Sequence, residues 1–194
     1  MAGAASASST EAPADDDGYG WGDVWRVACS PSRPFELEAS VSPLLTVSEN
    51  VLRQSLDCLE QGTGGITLPF LELGSGSGRA SICAASRLGV RAVGLELEEG
   101  LVEEARATAS TAGVAHLCEF RQEDVMERRW ATGPGTWGVA FVHLLPEALA
   151  KLEPSLLGLE CPIICINYKL PRAAVSASGI GWTIYCMPAA RYCR

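Results

Sequence analysis

Apolar positions along the chain change rhythm from one segment to the next, and the changes predict its elements. From Ser48 onward, Val51, Leu52, Ser55, Leu56 and Leu59 follow a 3.6-residue period, which predicts a helix. Ser48 is placed to cap its start, and Gly62 lies just past its predicted end. After a glycine turn, residues 66–73 form a short apolar run bounded by turn residues, the mark of a buried parallel strand. The glycine-rich stretch 74–78 follows, then a predicted helix over 79–88 with Ile82, Ala85 and Leu88 inward, stopped by Gly89. The alternation repeats. A strand is predicted over 91–97, a helix over 99–112, a strand over 117–122, a loop over 126–137 and a strand over 139–144. Pro146 suits the first turn of the next helix, and Pro154 predicts that this helix stops before it. Further strands are predicted over 163–168 and 182–187, with no clear seventh strand beside them.

Strands alternating with helices predict an α/β fold, a three-layer αβα sandwich with a mostly parallel sheet of six to seven strands. In such a sheet ligands bind outside the carboxyl ends of the strands. That rule sets Gly74, Glu96, Asp124 and His143 along one rim. The predicted organisation is an acidic disordered tail over 1–20, a helical segment with its connecting loop over 21–65, and a core over 66–194.

Composition narrows the partners. A formal net charge of −8 argues against nucleic acid, whose phosphates select clustered Lys and Arg. Lys151 and Lys169 are the only lysines, so no polybasic membrane patch is expected, and no apolar run is long enough for an integral membrane segment. Eight cysteines occur without a CxxC pair or a Cys/His cluster, so they read as free, mostly buried thiols and not as a metal site. The N-terminal stretch has no charged and apolar regions of a secretory signal, and its acids precede its first basic residue, Arg26. The expected setting is cytoplasmic, with a mitochondrial one as the alternative, and the expected state is a monomer.

The chemistry centres on Leu71-Glu72-Leu73-Gly74-Ser75-Gly76-Ser77-Gly78-Arg79. Glycines serve where backbone turns sharply and approaches a ligand closely, and the helix that follows points its free N–H groups at that ligand. A dinucleotide motif would need a third glycine at position 79, where this chain has Arg79. Glu72 at the strand end suits a ligand with a cationic amino group better than a pyrophosphate. Glu96 closes the next strand, where a carboxylate accepts from ribose hydroxyls, and Leu97 follows it. Asp124 follows the third strand as an acceptor for an adenine amino group, with Val125 to pack on the ring.

These motifs resemble those of the class I S-adenosylmethionine-dependent methyltransferases, from about Thr46 to Met187. The resemblance implies a Rossmann-like fold and S-adenosyl-L-methionine as cofactor. It implies that Glu72, Gly74, Ser75, Gly76 and Gly78 take the methionine end, Glu96 the ribose and Asp124 the adenine. More narrowly, LELGSGSGRASICAASRLGVRAVGLELEEGLVEEAR, FRQEDV, FVHLLPEALAKLEP and INYKLP are similar to the small protein-lysine methyltransferases of the ATP synthase c subunit and adenine nucleotide carrier. The chain departs from that group at Ser77 and Gly138, where acids are usual.

The acceptor side is read from the residues after the fourth and fifth strands. His143 is a candidate for orienting or deprotonating a nucleophile, for lining the adenosine pocket, or for a structural role. Tyr168 is a candidate for packing on a lysine stem, or for closing the core. The expected partner is a protein with a target lysine, attracted by the acidic balance. A small-molecule N- or O-methyltransferase and a catalytically silent cofactor-binding scaffold are the alternatives.

Overall fold

The computed structural model describes residues 47–133 and 135–185. The predicted tail over 1–20 and most of the segment over 21–65 lie outside the described residues.

Helix α1 (Glu49–Thr63) starts where Ser48 accepts from the Val51 amide and buries Leu52, Leu56 and Leu59. It runs through Gly62, and Gly64 ends it at φ 73°, a left-handed conformation that costs glycine little. The chain then alternates through β1 (Phe70–Leu73), α2 (Arg79–Leu88), β2 (Ala92–Glu96), α3 (Glu99–Thr111) and β3 (Cys118–Gln122). A 3-10 turn (Val125–Glu127), β4 (Val139–Val142), α4 (Pro146–Leu157), β5 (Ile163–Ile166), β6 (Ala177–Gly179) and β7 (Trp182–Tyr185) complete it.

The strands form one seven-stranded sheet in the order β3-β2-β1-β4-β5-β7-β6. Strands β1 to β5 pair in parallel, whereas β7 runs antiparallel to β5 and to β6. The mostly parallel αβα expectation therefore holds, with an antiparallel hairpin at one edge. Because side chains alternate along strands, the sheet has two apolar faces. Phe70, Phe141, Ile164 and Ile184 face α1 and α2. Phe120 packs against Ile82 of α2 and against α3. Leu71, Val93, Ala140 and Cys165 face α4 together with Trp130 and Trp137.

Several expectations need correction: the first strand starts at Phe70 and not at residue 66, and the fourth ends at Val142, two residues early. The segment predicted as the sixth and last strand is β7, because Ala177–Gly179 adds a strand that lies next to it. Its residues are small and largely exposed, so they give no apolar signal. Helix α4 passes through Pro154 and ends at Leu157. Pro154 removes a backbone donor, and fully buried Leu156 beyond it sustains the last turn. The fifth strand stops at Ile166, two residues early, because Asn167 turns left-handed at φ 60°.

Cys83, Cys161 and Cys165 are buried free thiols, while Cys58 and Cys118 are half-buried and also free. Burial pushes the Cys83, Cys118, Cys161 and Cys165 thiols up to about 12, so they stay protonated at neutral pH. Among the described residues no helix is long and apolar enough to cross a membrane.

Candidate functional site

The carboxyl ends of β1, β2, β3 and β4 meet at one rim. The loop after β1 is shaped by three left-handed glycines, Gly74 at φ 74°, Gly76 at 51° and Gly78 at 78°. The Gly74 and Ser75 amides both donate to the Leu95 carbonyl at 2.9 Å, which ties the loop to β2. A Cβ on Gly78 would stand 2.6 Å from the Phe120 ring, and one on Gly94 would stand 2.8 Å from the Ser75 Cβ. The loop is therefore held by steric fit on both flanks. Gly78 caps α2, whose first turn points its amides toward the rim.

Glu72 lies beneath this loop with 6% of its surface exposed. Its Oε2 accepts from the Ser81 amide at 2.8 Å and the Ser81 hydroxyl at 2.6 Å. Burial raises its pKa from the ordinary 4.5 to about 7, against the opposing pull of the two Ser81 hydrogen bonds, and nearby Glu96 adds to the rise.

Glu96 ends β2 half-buried. Its Oε2 accepts from the Gly76 amide at 2.8 Å, and its Oε1 accepts from the Leu97 and Glu98 amides at 2.7 and 3.1 Å. A single carboxylate thus links the glycine loop to the start of α3. Leu97 beside it is 61% exposed, an apolar side chain left open to a ligand. Asp124 caps the 3-10 turn through the Met126 amide at 2.8 Å, and Val125 leans on the second-face core.

One open cleft is lined by Glu72, Gly74, Ser75, Gly76, Ser77 and His143, among others. The structure brings these sequence candidates together. Glu96 joins them through Gly76, and Gly78 through the cap of α2. Asp124, Val125 and Leu97 sit further along the rim. Tyr168 is half-buried against the second-face core and does not line the cleft.

Asn167 went unnoticed in the sequence. Its Nδ2 lies 3.1 Å from His143 Nε2. The only sequence signal was an asparagine at a strand end, a residue type that tolerates left-handed backbone.

The arrangement fits a cofactor with an amino-acid end, a ribose and a base. Ser75 Oγ is buried in the cleft wall with no hydrogen-bond partner among the described residues, as a group waiting for a ligand atom would be. The glycine loop leaves backbone space that a Cβ would fill, and the carboxylate floor matches a cationic amino group. Among the described residues, no group of three or more His, Cys, Asp or Glu is placed to hold a metal ion.

Residues 70–153 match the methyltransferase domain family. A solved RNA methyltransferase from Salinibacter ruber, in complex with S-adenosyl-L-homocysteine, is 32% identical. It superposes with a TM-score of 0.62 over 73% of this chain and 91% of its own. Cofactor-bound Rv0187 from MTB is 22% identical over 66% of this chain and 59% of its own, with a TM-score of 0.53. Monomeric WbdD is 17% identical over 71% of this chain and 40% of its own, with a TM-score of 0.56. These two share the fold and are considerably longer than the matched part. No curated protein matches the chain. Given the glycine loop, the acids on one rim, the domain match and a relative at 32% identity covered over 91% of its length, the chain belongs to the class I S-adenosylmethionine-dependent methyltransferases.

Proposed function

We propose that the protein is a protein-lysine N-methyltransferase. Glu72, Gly74, Ser75 and Gly76 seat the methionine end of the cofactor, Glu96 the ribose, and Asp124 with Val125 and Leu97 the adenine. S-adenosylmethionine supplies an activated methyl group on a sulfonium, and its transfer is an in-line displacement by a nucleophile. The protein's part is alignment and desolvation, and alignment alone is worth roughly 7–11 kcal/mol of barrier.

The observation that carries the lysine reading is the wall beside the cradle. Leu144 presses against the glycine loop so closely that a Cβ on Gly74 would stand 2.8 Å from its Cδ2. An apolar wall at that point disfavours an ammonium and favours a neutral amine, the form in which lysine attacks. The net charge of −8 suits a basic protein partner, and the sequence motifs resemble those of small protein-lysine methyltransferases. We assign His143 to the cleft wall beside the reacting methyl, and Tyr168 to the core.

A second reading, methylation of RNA, is favoured by the 32% identity to a protein described as an RNA methyltransferase. The charge balance stands against it. Incubation of the full chain with tritiated cofactor and a cell extract separates the two. The lysine reading expects label that is destroyed by protease, survives ribonuclease and is recovered as methyl-lysine after hydrolysis. Label that ribonuclease removes overturns it in favour of RNA, and label only in small molecules overturns both. The cofactor seat is tested separately by thermal shift with S-adenosylhomocysteine. At a hundredfold excess over Kd, wild type gains about 2.7 kcal/mol. Glu96→Ala gains clearly less, and an equal gain removes Glu96 from the seat.

A further inference from the structure

Asn167 is an exposed residue in an unusual backbone conformation, and core packing does not explain it. It sits where β5 gives way to the loop leading to the β6–β7 hairpin. Its amide donates to the Gly181 carbonyl at 2.9 Å, which fixes the backbone at φ 60°. Gly181 is itself left-handed at φ 81°, and a Cβ there would stand 3.5 Å from Asn167 Oδ1 and 3.2 Å from Val51 Cγ2. The hairpin turn therefore faces the oxygen of the carboxamide, while its nitrogen faces the imidazole of His143 at 3.1 Å.

We propose that Asn167 is a positioning residue that fixes His143 as the neutral tautomer with its proton on Nδ1. A carboxamide nitrogen only donates, so the Nε2 it addresses must be an unprotonated acceptor. The hydrogen bond made by one ring nitrogen sets where the proton sits on the other. His143 then carries its proton on Nδ1, and its basic nitrogen Nε2 is occupied by Asn167. It does not take the acceptor's proton. This deepens the lysine reading, on which its functional meaning rests: the amine gives its proton to water before alignment, at the apolar Leu144 wall, and attacks as the neutral base. Among the described residues, the charged groups lining the same cleft are Glu72 on the β1 side and Arg79 on α2, while Val47 just before α1 and Leu52 within it complete the apolar side.

The chain has two histidines, His116 and His143, so the test is spectroscopic and needs no methyl acceptor. Uniformly ¹⁵N-labelled full chain is observed by long-range ¹H–¹⁵N correlation of the imidazoles, with His116→Gln to assign the pair. Wild type is expected to show an unprotonated Nε2 and a protonated Nδ1 for His143. Asn167→Gly keeps the left-handed backbone and removes the carboxamide, so the His143 pattern moves toward the Nε2-protonated tautomer while His116 stays put. Asn167→Asp also tolerates the backbone but presents only acceptors. It is expected to protonate Nε2 and to raise the His143 titration midpoint by about one pH unit, tenfold in proton affinity. A wild-type His143 with protonated Nε2, or a ring pattern unchanged in both variants, overturns the proposal. Failure of the lysine reading is distinguishable, because it leaves the tautomer in place and changes only which molecule is labelled.

Discussion

Two carboxylates are buried on opposite sides of the sheet, and their surroundings push them in opposite directions. Glu153 on α4 is fully buried. It accepts from the Arg172 amide at 2.7 Å, the Arg172 Nε at 2.9 Å and the Ala173 amide at 3.1 Å. Burial alone raises its pKa, but the hydrogen bonds and charge of Arg172, with the Ala173 amide, outweigh it and leave it lowered. Glu72 is nearly as buried, and among the described residues its donors are the Ser81 amide and hydroxyl, which both reach the same oxygen. Its pKa rises to about 7. The difference is one of donor supply. Glu153 is a clasp, satisfied by the loop that it pins to α4. Glu72 is a floor left short of donors beneath a cleft, as an acid reserved for a cationic ligand group would be.

The largest expected effect comes from disturbing the loop that covers Glu72. Gly78→Ala adds a Cβ 2.6 Å from the Phe120 ring and 2.9 Å from the Ala105 Cβ, at φ 78°. Overpacking and left-handed strain together are expected to cost about 4–5 kcal/mol, read by urea denaturation. Phe120→Ala, costly by itself as a core truncation, should cost less in the Gly78→Ala background than in wild type, since the ring is the obstacle. If Gly78→Ala is tolerated within about 1 kcal/mol, the loop is not held by fit, and the Glu72 side of the comparison loses its rigidity.

The same contrast explains what could be read in the sequence. The glycine loop was legible because left-handed backbone and close approach select glycine, and such constraints are local. Helix α1 and the parallel strands were legible through their apolar periods. The Glu153 clasp was not, because a lone glutamate between Leu152 and Pro154 reads as a solvated helix residue, and its donors lie 19 and 20 residues away. The pairing of His143 with Asn167 spans 24 residues and depends on strand order. Strand β6 was missed because a half-buried alanine followed by an exposed serine and glycine carries no pattern, although β7 supplies a ready partner. Local constraint leaves a signature in residue type. Contact across the fold leaves none in a single sequence.

Glu153→Ala tests the clasp. It removes the carboxylate that accepts from the Arg172 and Ala173 amides in half-buried hydrogen bonds, and each bond to a charged group contributes about 1.5–3 kcal/mol. A loss of about 3 kcal/mol is expected, with S-adenosylhomocysteine affinity unchanged by calorimetry, because the clasp lies on the far face of the sheet from Glu72. A loss below about 1 kcal/mol would mean that water satisfies the loop and that the two carboxylates differ less than their burial suggests.

Glu72 is tested by pH, and here the sign separates it from most carboxylates. A group whose folded pKa is raised binds more protons folded than unfolded, so stability falls as pH rises. With an unfolded value near 4.5 and a folded value of about 7, the window lies between those two. Below 4.5 both states are protonated and the protonated carboxyl keeps its full contribution. Above 7 both are ionised and the cost of burying the charge is complete. Between pH 5 and pH 7 the wild type is expected to lose about 2 kcal/mol through this group, at 1.36 kcal/mol per pH unit for a full proton of difference. Glu72→Gln, neutral throughout, should flatten that part of the profile while other groups keep their share. Saturating S-adenosylhomocysteine should flatten it too, because in the proposed seat its amino group would hold the carboxylate ionised and the stabilisation from binding would grow with pH across the same window. A wild-type profile that parallels Glu72→Gln from pH 5 to 7 would place the Glu72 pKa in the ordinary range. Glu72 would then be a satisfied acid like Glu153, and the contrast between floor and clasp would collapse.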